Sequence, residues 1–143
     1  KVVFSVSIGI RNIRQLAAPI PHTADFKTVG IFFVSGFSLI SKWFNLEEAV
    51  KESDLILTGE GRFDRTSLYG KGPFEIIRMA SNYGKNIILL AGSVESEAVK
   101  ECKTKFPNLE VVSFGDDQLS LNENLARASE FFSNELLKQL SNY

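Results

Sequence analysis

Charged side chains and glycines are concentrated in one short stretch, Asp54 to Gly72, which reads DLILTGEGRFDRTSLYGKG. An apolar run ends inside this stretch, and glycines then alternate with acidic and basic residues. Gly59 and Gly61 would let backbone N–H groups approach a ligand closely and surround an oxyanion. The stretch therefore predicts a loop that binds an anionic small molecule.

The side chains of this stretch suit the binding or transfer of a phosphate group. Arg62 offers a planar fork that matches a carboxylate or a phosphate, and Lys71 carries a charge that can neutralise a phosphate. Glu60 and Asp64 can hold Mg²⁺ or accept a proton from a hydroxyl group. Two hydroxyl groups that can donate hydrogen bonds to the same ligand belong to Thr66 and Ser67.

Common nucleotide-binding and catalytic motifs do not explain the stretch. Asp64 stands where the dinucleotide-binding fingerprint has its third glycine, and Gly70-Lys71 lacks the spacing of a P-loop. The single histidine, His22, argues against a Ser-His-Asp triad, and the sequence contains no zinc-binding cluster. The alternative without function is a solvated turn, in which the charges form only weak surface ion pairs.

The composition is that of one ordinary globular domain. The 143 residues are 44% hydrophobic and 23% charged, and the net charge of −1 gives no reason to expect nucleic acid or a membrane as a partner. No apolar stretch is long enough to span a bilayer. The single cysteine, Cys102, excludes an intrachain disulfide, favours a cytoplasmic location and is interpreted as a small helix residue rather than a reactive thiol.

The first part of the chain is the hardest to assign. Val2 to Ile10 is apolar and predicts a buried strand; a signal-peptide core before a cleavage site at Leu16-Ala17-Ala18 is the alternative. A short helix over Arg11 to Ala18 and a second apolar run from Val29 to Val34 follow. Residues 1–34 therefore form an N-terminal segment without an assigned fold.

From residue 35 onward, helical and strand patterns alternate. Gly36 to Phe44 has the apolar spacing of a helix. Asn45 begins an Asn-x-x-Glu capping box that predicts a second helix from Leu46 to Ser53. Leu55 to Leu57 is an uninterrupted apolar run, typical of a strand that is covered on both faces. The sequence thus predicts a buried strand that ends where the glycine-rich stretch begins.

The second half continues the alternation. Gly72-Pro73 begins a helix, and Gly84 is placed to end it in a left-handed conformation. Asn86 to Ala91 predicts the next strand, which Gly92-Ser93 interrupts; Ser93 would either cap the following helix or contact a ligand. The remaining predicted elements are a strand from Leu109 to Phe114 and a long helix that a Ser120–Glu123 capping box opens.

This order of elements predicts an α/β fold, an open parallel, Rossmann-like sheet with helices on both faces. In such sheets, ligands bind beyond the carboxyl ends of the strands. The stretch from Thr58 to Arg62 and the pair Gly92-Ser93 follow two neighbouring strands. We therefore expect a pocket there, in which a tight turn beginning at Thr58 brings the charged side chains together.

The ordered motifs resemble those of the type I glycerate kinase family. The segment Asp54 to Asp64, followed by Gly70-Lys71-x-Pro73, is similar to the family pattern D-L-[VI]-[IL]-T-G-E-G-R-[LIF]-D-x-Q-T-x-x-G-K-x-P. The resemblance covers Gly36 to Leu140 and identifies residues 35–143 as a glycerate-kinase-like C-terminal α/β region. Three further segments support it: Ser35-Gly36-Phe37, Leu90-Ala91-Gly92-Ser93 and Ser120 to Leu125.

The resemblance implies ATP-dependent phosphorylation of glycerate, with Mg²⁺, in a cleft between two α/β domains. It implies a catalytic set of Glu60, Arg62 and Asp64. Their chemistry suggests that Arg62 contacts the substrate carboxylate or the transferred phosphate, that Asp64 contacts the metal or the reacting hydroxyl, and that Glu60 holds the metal or orients the loop. Contacts to substrate or phosphate are assigned to Gly59, Gly61, Thr66, Ser67, Lys71 and Ser93.

Several family motifs have no counterpart in the sequence, including the N-terminal D-S-F-K-G and D-G-G-E-G-T motifs. We therefore expect a truncated or internally deleted relative that carries one wall of the active site and does not phosphorylate glycerate alone, with a homo-oligomer as one option. A hypothesis from another class is a non-catalytic α/β domain that binds an anion or a protein partner. A third is another small-molecule kinase or phosphate-binding protein.

Overall fold

A parallel sheet forms the centre of the molecule. The computed structural model describes residues 2–6 and 35–142, and in these residues four strands lie in the order β1-β2-β3-β4. The strands are β1 (Val2–Val6), β2 (Leu55–Phe63), β3 (Asn86–Val94) and β4 (Leu109–Ser113), and each pairs in parallel with its neighbour. The α-helices are α1 (Gly36–Trp43), α2 (Leu46–Lys51), α3 (Gly72–Asn82), α4 (Ser96–Lys105), α5 (Leu121–Ala126) and α6 (Ala128–Ser141).

Helices cover both faces of this sheet. Successive side chains of β2 and β3 point to opposite sides, so apolar residues lie on both faces and each face is buried against helices. On one face, Ile56 and Leu89 join a buried cluster with Ile77 of α3 and Cys102 of α4. On the other face, a second cluster packs against α6; its members include Leu55, Leu57, Ile88, Leu90, Phe132 and Leu136. The predicted fold class, an open parallel α/β sheet with helices on both faces, is confirmed.

Several predicted helix ends are confirmed, but one predicted cap and the length of one predicted helix are wrong. Pro73 lies in the first turn of α3, and Gly84 follows that helix with a φ of +63°. Ser120 forms the predicted capping box with Glu123, but the helix that it opens is interrupted at Arg127, so that α5 and α6 are separate. Asn45 makes no capping hydrogen bond with its side chain, because it adopts a left-handed conformation with a φ of 49°.

The part of the glycine-rich stretch up to Phe63 is a strand and not a loop, which corrects the prediction of a tight turn at Thr58. Strand β2 continues to Phe63, and its register pairs Gly59 with Leu90 and Arg62 with Ser93 of β3. A Cβ atom on Gly59 would lie 2.5 Å from the carbonyl oxygen of Leu90. The missing side chain therefore allows two strands to approach closely, which explains why an apolar run could continue as a strand through glycines.

The predicted break at Gly92-Ser93 is wrong for the same reason. A Cβ atom on Gly92 would lie 2.7 Å from the carbonyl oxygen of Gly61, so this glycine also serves the contact between strands. Ser93 lies within β3 and caps no helix. Helix α4 begins later, with Glu95 as its N-cap residue, and the backbone N–H of Glu95 donates to the carbonyl of Phe63 at 2.8 Å.

Of the elements predicted in residues 1–34, only the first strand lies among the described residues. The strand predicted from Val2 is present as Val2–Val6, which forms β1 and pairs with β2, whereas residues 7–10 lie outside the described residues. The predicted helix over Arg11 to Ala18, the run from Val29 to Val34, the cleavage-site alternative and His22 lie outside the described residues, and the division after residue 34 stays a prediction. In residues 2–6 and 35–142, no helix combines the length and the apolar content that crossing a membrane requires.

Two glycines of β2 provide a matched test of the close strand contact. Replacing Gly59 with alanine should lower the free energy of unfolding by about 1–3 kcal/mol, because the new methyl group meets a backbone carbonyl that cannot move independently. Gly61→Ala should change it by no more than about 0.5 kcal/mol, since its Cβ would meet nothing within 4 Å. Urea denaturation measures both values, and equal effects of the two substitutions would contradict this account.

Cys102 is the small helix residue that the sequence predicts. It is fully buried in α4, and burial raises the pKa of its thiol from 9.0 to about 11. At neutral pH the native protein should react with a thiol reagent at least about 100-fold more slowly than the urea-unfolded chain, because little thiolate is present. The chain has one cysteine, so the reagent reports on this position alone. Rapid native-state reaction without loss of secondary structure would refute the assignment.

Candidate functional site

Four predicted site residues meet at the carboxyl edge of the sheet. Lys71, the N-cap residue of α3, places its ammonium nitrogen 3.7 Å from Glu60 Oε2 and 3.8 Å from Asp64 Oδ1. The same nitrogen donates a hydrogen bond to Ser67 Oγ at 3.2 Å. We call Glu60, Asp64, Ser67 and Lys71 the charged cluster. Its centre is an ammonium group shared between two carboxylates and one buried hydroxyl.

Asp64 is held rigidly, because it caps the short 3₁₀ helix Arg65–Leu68. Its Oδ1 atom accepts hydrogen bonds from the backbone N–H of Thr66 at 2.9 Å and from the Thr66 hydroxyl at 2.6 Å. These hydrogen bonds, the one from the Thr66 hydroxyl above all, hold the pKa of Asp64 below its usual value. Asp64 is therefore a fixed anion at neutral pH, and Thr66 orients it; the ligand contact predicted for Thr66 stays a prediction.

Ser67 joins the strand, the 3₁₀ helix and α3 at one point. Its side chain is fully buried, and its hydroxyl oxygen accepts from the backbone N–H of Asp64 at 3.2 Å. Together with the cap formed by Asp64, this completes a reciprocal capping box. Because the same hydroxyl contacts Lys71, the position of the ammonium depends on the position of the 3₁₀ helix.

Glu60 is the most constrained acid of the charged cluster. Only 11% of its side chain is exposed, and its Oε1 atom is buried without a hydrogen-bond partner. Loss of hydration raises the pKa of Glu60, and the Ser67 hydroxyl and the Lys71 ammonium only partly oppose this effect. An unpaired buried carboxylate oxygen is costly, which favours a ligand or proton at this position.

The remaining predicted residues lie apart from the centre of the cluster. Arg62 is mostly exposed, with 71% of its side chain in solvent, and its Nε atom lies 3.5 Å from Asp64 Oδ2. Gly59 serves the strand contact described above, whereas Gly61 faces open space. Ser93 is exposed and lines a separate cavity. The ligand contacts predicted for these residues stay predictions.

That cavity has a volume of about 290 Å³ and lies on the face covered by α6. Its floor is formed by Gly61, Gly92 and Gly115, at the ends of three adjacent strands. The connection from β4 to α5 forms one side, and the side chain of Asn124 holds it in place. The amide of Asn124 accepts from the N–H of Asp116 at 2.8 Å and donates to three backbone carbonyls.

Sequence reasoning missed this side of the molecule, although a signal was present. Glycine-containing segments mark the carboxyl edge of β2 and of β3, at Gly61 and at Gly92-Ser93. The segment Gly115-Asp116-Asp117, which follows β4, is a third segment of this kind at the same edge. It also missed Thr58, whose hydroxyl oxygen is buried without a hydrogen-bond partner. Nothing in the sequence distinguishes that hydroxyl from one that is paired in the core.

The fold and the charged cluster define an α/β protein with a polar site at the carboxyl edge of a parallel sheet. The sequence profile of the glycerate kinase family matches residues 24–140, which is most of the chain. The chain therefore belongs to the glycerate kinase family, and the resemblance noted from its motifs is confirmed.

Individual relatives match a shorter region. A glycerate kinase from Halalkalibacterium halodurans is 39% identical over 43% of this chain, and a glycerate 2-kinase from Escherichia coli K12 is 36% identical over 48% of it. These alignments span only 16% and 18% of the two relatives. A crystal structure of a protein provisionally named glycerate kinase 2 from Salmonella typhimurium LT2 aligns with 76% of this chain and 28% of its own, at 24% identity and a TM-score of 0.46.

Glu60 predicts a specific pH dependence of stability. Because the pKa of Glu60 is raised above 4.5 in the folded state, the folded protein binds a proton on Glu60 more tightly than the unfolded chain does. The contribution of Glu60 to stability therefore falls as pH rises from the unfolded-state pKa through the folded-state pKa. The variant Glu60→Gln cannot titrate there. Its free energy of unfolding minus that of the wild type should therefore increase from about pH 4 upward and then level off.

Asp64→Asn is the matched control for this experiment. In the wild type, the pKa of Asp64 is lowered below 3.8 in the folded protein. The ionised Asp64 therefore contributes stability above pH 3.8, and this contribution is lost as pH falls through the folded-state pKa. The difference between Asp64→Asn and the wild type should be unfavourable and constant from about pH 5 upward. Urea denaturation across the pH range measures both differences. A pH-independent difference for Glu60→Gln would contradict the burial argument.

Proposed function

We propose that this chain supplies one wall of the active site of an enzyme that phosphorylates glycerate with ATP. The observation that carries the proposal is the charged cluster, in which one ammonium lies within 4 Å of two carboxylates at the ligand-binding edge of the sheet. Family membership and the names of the relatives support it, since those relatives are a glycerate kinase and a glycerate 2-kinase.

The chemistry of phosphoryl transfer matches what these side chains can do. The reaction depends on neutralising the transferred group and aligning the attacking hydroxyl, with little covalent work for the protein. Lys71 and the exposed Arg62 supply positive charge at the edge of the cluster. Glu60 has an unpaired oxygen and a raised pKa, so it suits the acceptance of a proton from the substrate hydroxyl.

The residues present also fit a magnesium ion bound together with phosphate. Among the described residues, no three acidic, histidine or cysteine side chains form a complete metal site. Mg²⁺ at kinase sites uses one or two carboxylates together with substrate phosphates, and Asp64, whose pKa is lowered, provides one such carboxylate. A bound Mg²⁺ would neutralise phosphate charge. Lys71 would then turn from the carboxylates toward the phosphates.

The test of this proposal is binding of Mg·ATP to the purified chain by titration calorimetry. Lys71→Ala should weaken binding by about 10-fold, since it removes the positive charge that would attract the phosphates and leaves the two neighbouring carboxylates without their cation. Lys138→Ala is the matched control, because Lys138 is also exposed and paired with an acid, Glu135, but lies on α6. Its affinity should equal that of the wild type. Absence of binding, or equal affinity of both variants, would refute the proposal.

A coupled assay tests the related expectation that this chain alone does not release ADP in the presence of glycerate and Mg·ATP; release would refute that expectation.

The alternative is a non-catalytic domain, and binding of inorganic phosphate without any response to Mg·ATP or glycerate would favour it. The cytoplasmic location, a homo-oligomer and the absence of nucleic-acid partners stay predictions.

A further inference from the structure

We propose that the cavity floored by Gly61, Gly92 and Gly115 binds the nucleoside portion of the phosphoryl donor, adenosine when the donor is ATP. This inference rests on the proposed function. It adds a division of the ligand between two places at the sheet edge: an uncharged part in the cavity and the phosphates at the charged cluster. Gly61 lines the cavity, whereas its neighbours Glu60 and Arg62 point to the opposite face of β2, so a bound donor would cross the carboxyl edge of the sheet between the two places.

The lining of the cavity suits a flat, uncharged group. Apolar side chains from the β4–α5 connection and from both following helices face it, and aromatic contact is available from Phe114 and Phe131. Phe114 is fixed by an edge-to-face contact with Phe132 of α6, with the ring centroids 5.6 Å apart. A volume of about 290 Å³ lies at the lower end of small-molecule pockets, which suits a nucleobase better than a whole nucleoside triphosphate.

The floor allows a planar group to lie directly against the sheet. Gly92 and Gly115 cannot carry side chains, because a Cβ atom on either would collide with the backbone of the neighbouring strand. Gly61 has open space where its side chain would be. Three strand ends therefore present bare backbone to the cavity, and a flat ring can approach peptide groups without displacing any side chain.

Charge separates the two places. Asp116 and Asp117 line the cavity, and none of its described lining residues is lysine or arginine. Arg127 stacks on the Phe131 ring at 4.4 Å, but its guanidinium is paired with Glu130 at 3.0 Å. Carboxylates repel phosphate and accept hydrogen bonds from amino and hydroxyl groups, which a nucleoside carries. The positive charges that can hold phosphates, on Lys71 and Arg62, lie with the charged cluster.

The experiment uses adenosine as a probe, because it has no phosphate and cannot report on the charged cluster. In ¹⁵N-labelled full chain, adenosine should shift the backbone amide signals of Gly61, Gly92 and Gly115 and leave that of Ser67 unchanged. Shifts confined to the charged cluster, or no shifts at millimolar adenosine, would overturn the inference. This measurement needs no variant, so it stands even if a substitution unfolds the protein.

A pair of substitutions on neighbouring helices adds a second readout. Ala128→Phe places a ring in the cavity and should weaken adenosine and Mg·ATP binding by at least about 10-fold. Ala126→Phe, at an exposed position that does not line the cavity, should leave both affinities unchanged. Circular dichroism checks that both variants fold. Equal affinities in the two variants would overturn the inference.

The results also separate this inference from the proposed function. If Mg·ATP binds and Lys71→Ala weakens it, but inorganic triphosphate competes fully and adenosine does not bind, the proposed function survives and the nucleoside cavity does not. If adenosine binds with the predicted shifts but Lys71→Ala leaves Mg·ATP affinity unchanged, the cavity survives and the assigned role of the charged cluster fails.

Discussion

The structure depends on the close approach of β2 and β3 at two glycines whose backbones leave no room for a Cβ atom. Gly59 and Gly92 each lie against a carbonyl of a neighbouring strand, at 2.5 Å and 2.7 Å from where a Cβ would be. This contact allows β2 and β3 to continue past their apolar cores, to Phe63 and Val94. Glu60 and Arg62 are therefore carried on a rigid sheet, and Asp64 follows it directly as the cap of the 3₁₀ helix. A rigid support suits the proposed phosphoryl transfer, which depends on alignment.

The charged cluster shows how this support changes the properties of its side chains. Glu60 extends from a strand into a place where water is mostly excluded, so its pKa rises. Asp64, four residues later, caps the 3₁₀ helix and stays ionised because backbone and hydroxyl donors surround it. Two acids of similar intrinsic strength thus differ in proton affinity. Such a pair is common where one group must accept a proton and another must keep its charge.

Much of the fold could be predicted from the sequence, because its signals are local. Apolar runs mark the strands, and Pro73, Gly84 and the Ser120–Glu123 box mark helix ends through the φ angles and hydrogen bonds that they impose. The glycines of β2 and β3 predict turns that are not there, because glycine favours a turn as readily as a close contact between strands. Which of the two applies depends on a neighbouring strand about thirty residues away, and no local pattern contains that information.

The candidate site was predictable in part for a related reason. Glu60, Asp64, Ser67 and Lys71 lie within twelve residues of sequence, so their chemistry could be assigned together, and the structure places them in contact. The role of Thr66 as a donor to Asp64 depends on the 3₁₀ helix, which the sequence did not reveal. The cavity requires β4, the connection after it and α6 to meet, and this arrangement is tertiary.

The side chain of Asn124 has a consequence for how this protein can change over evolutionary time. One amide group satisfies four backbone partners and, together with the Asp116 carboxylate that accepts from the N–H of Gln118, shapes the connection between β4 and α5. The residues of that connection, such as Asp117 and Gln118, therefore need not anchor it to the core. Their identities can drift without a penalty in folding, so selection for a different small molecule could act there while the scaffold remains the same.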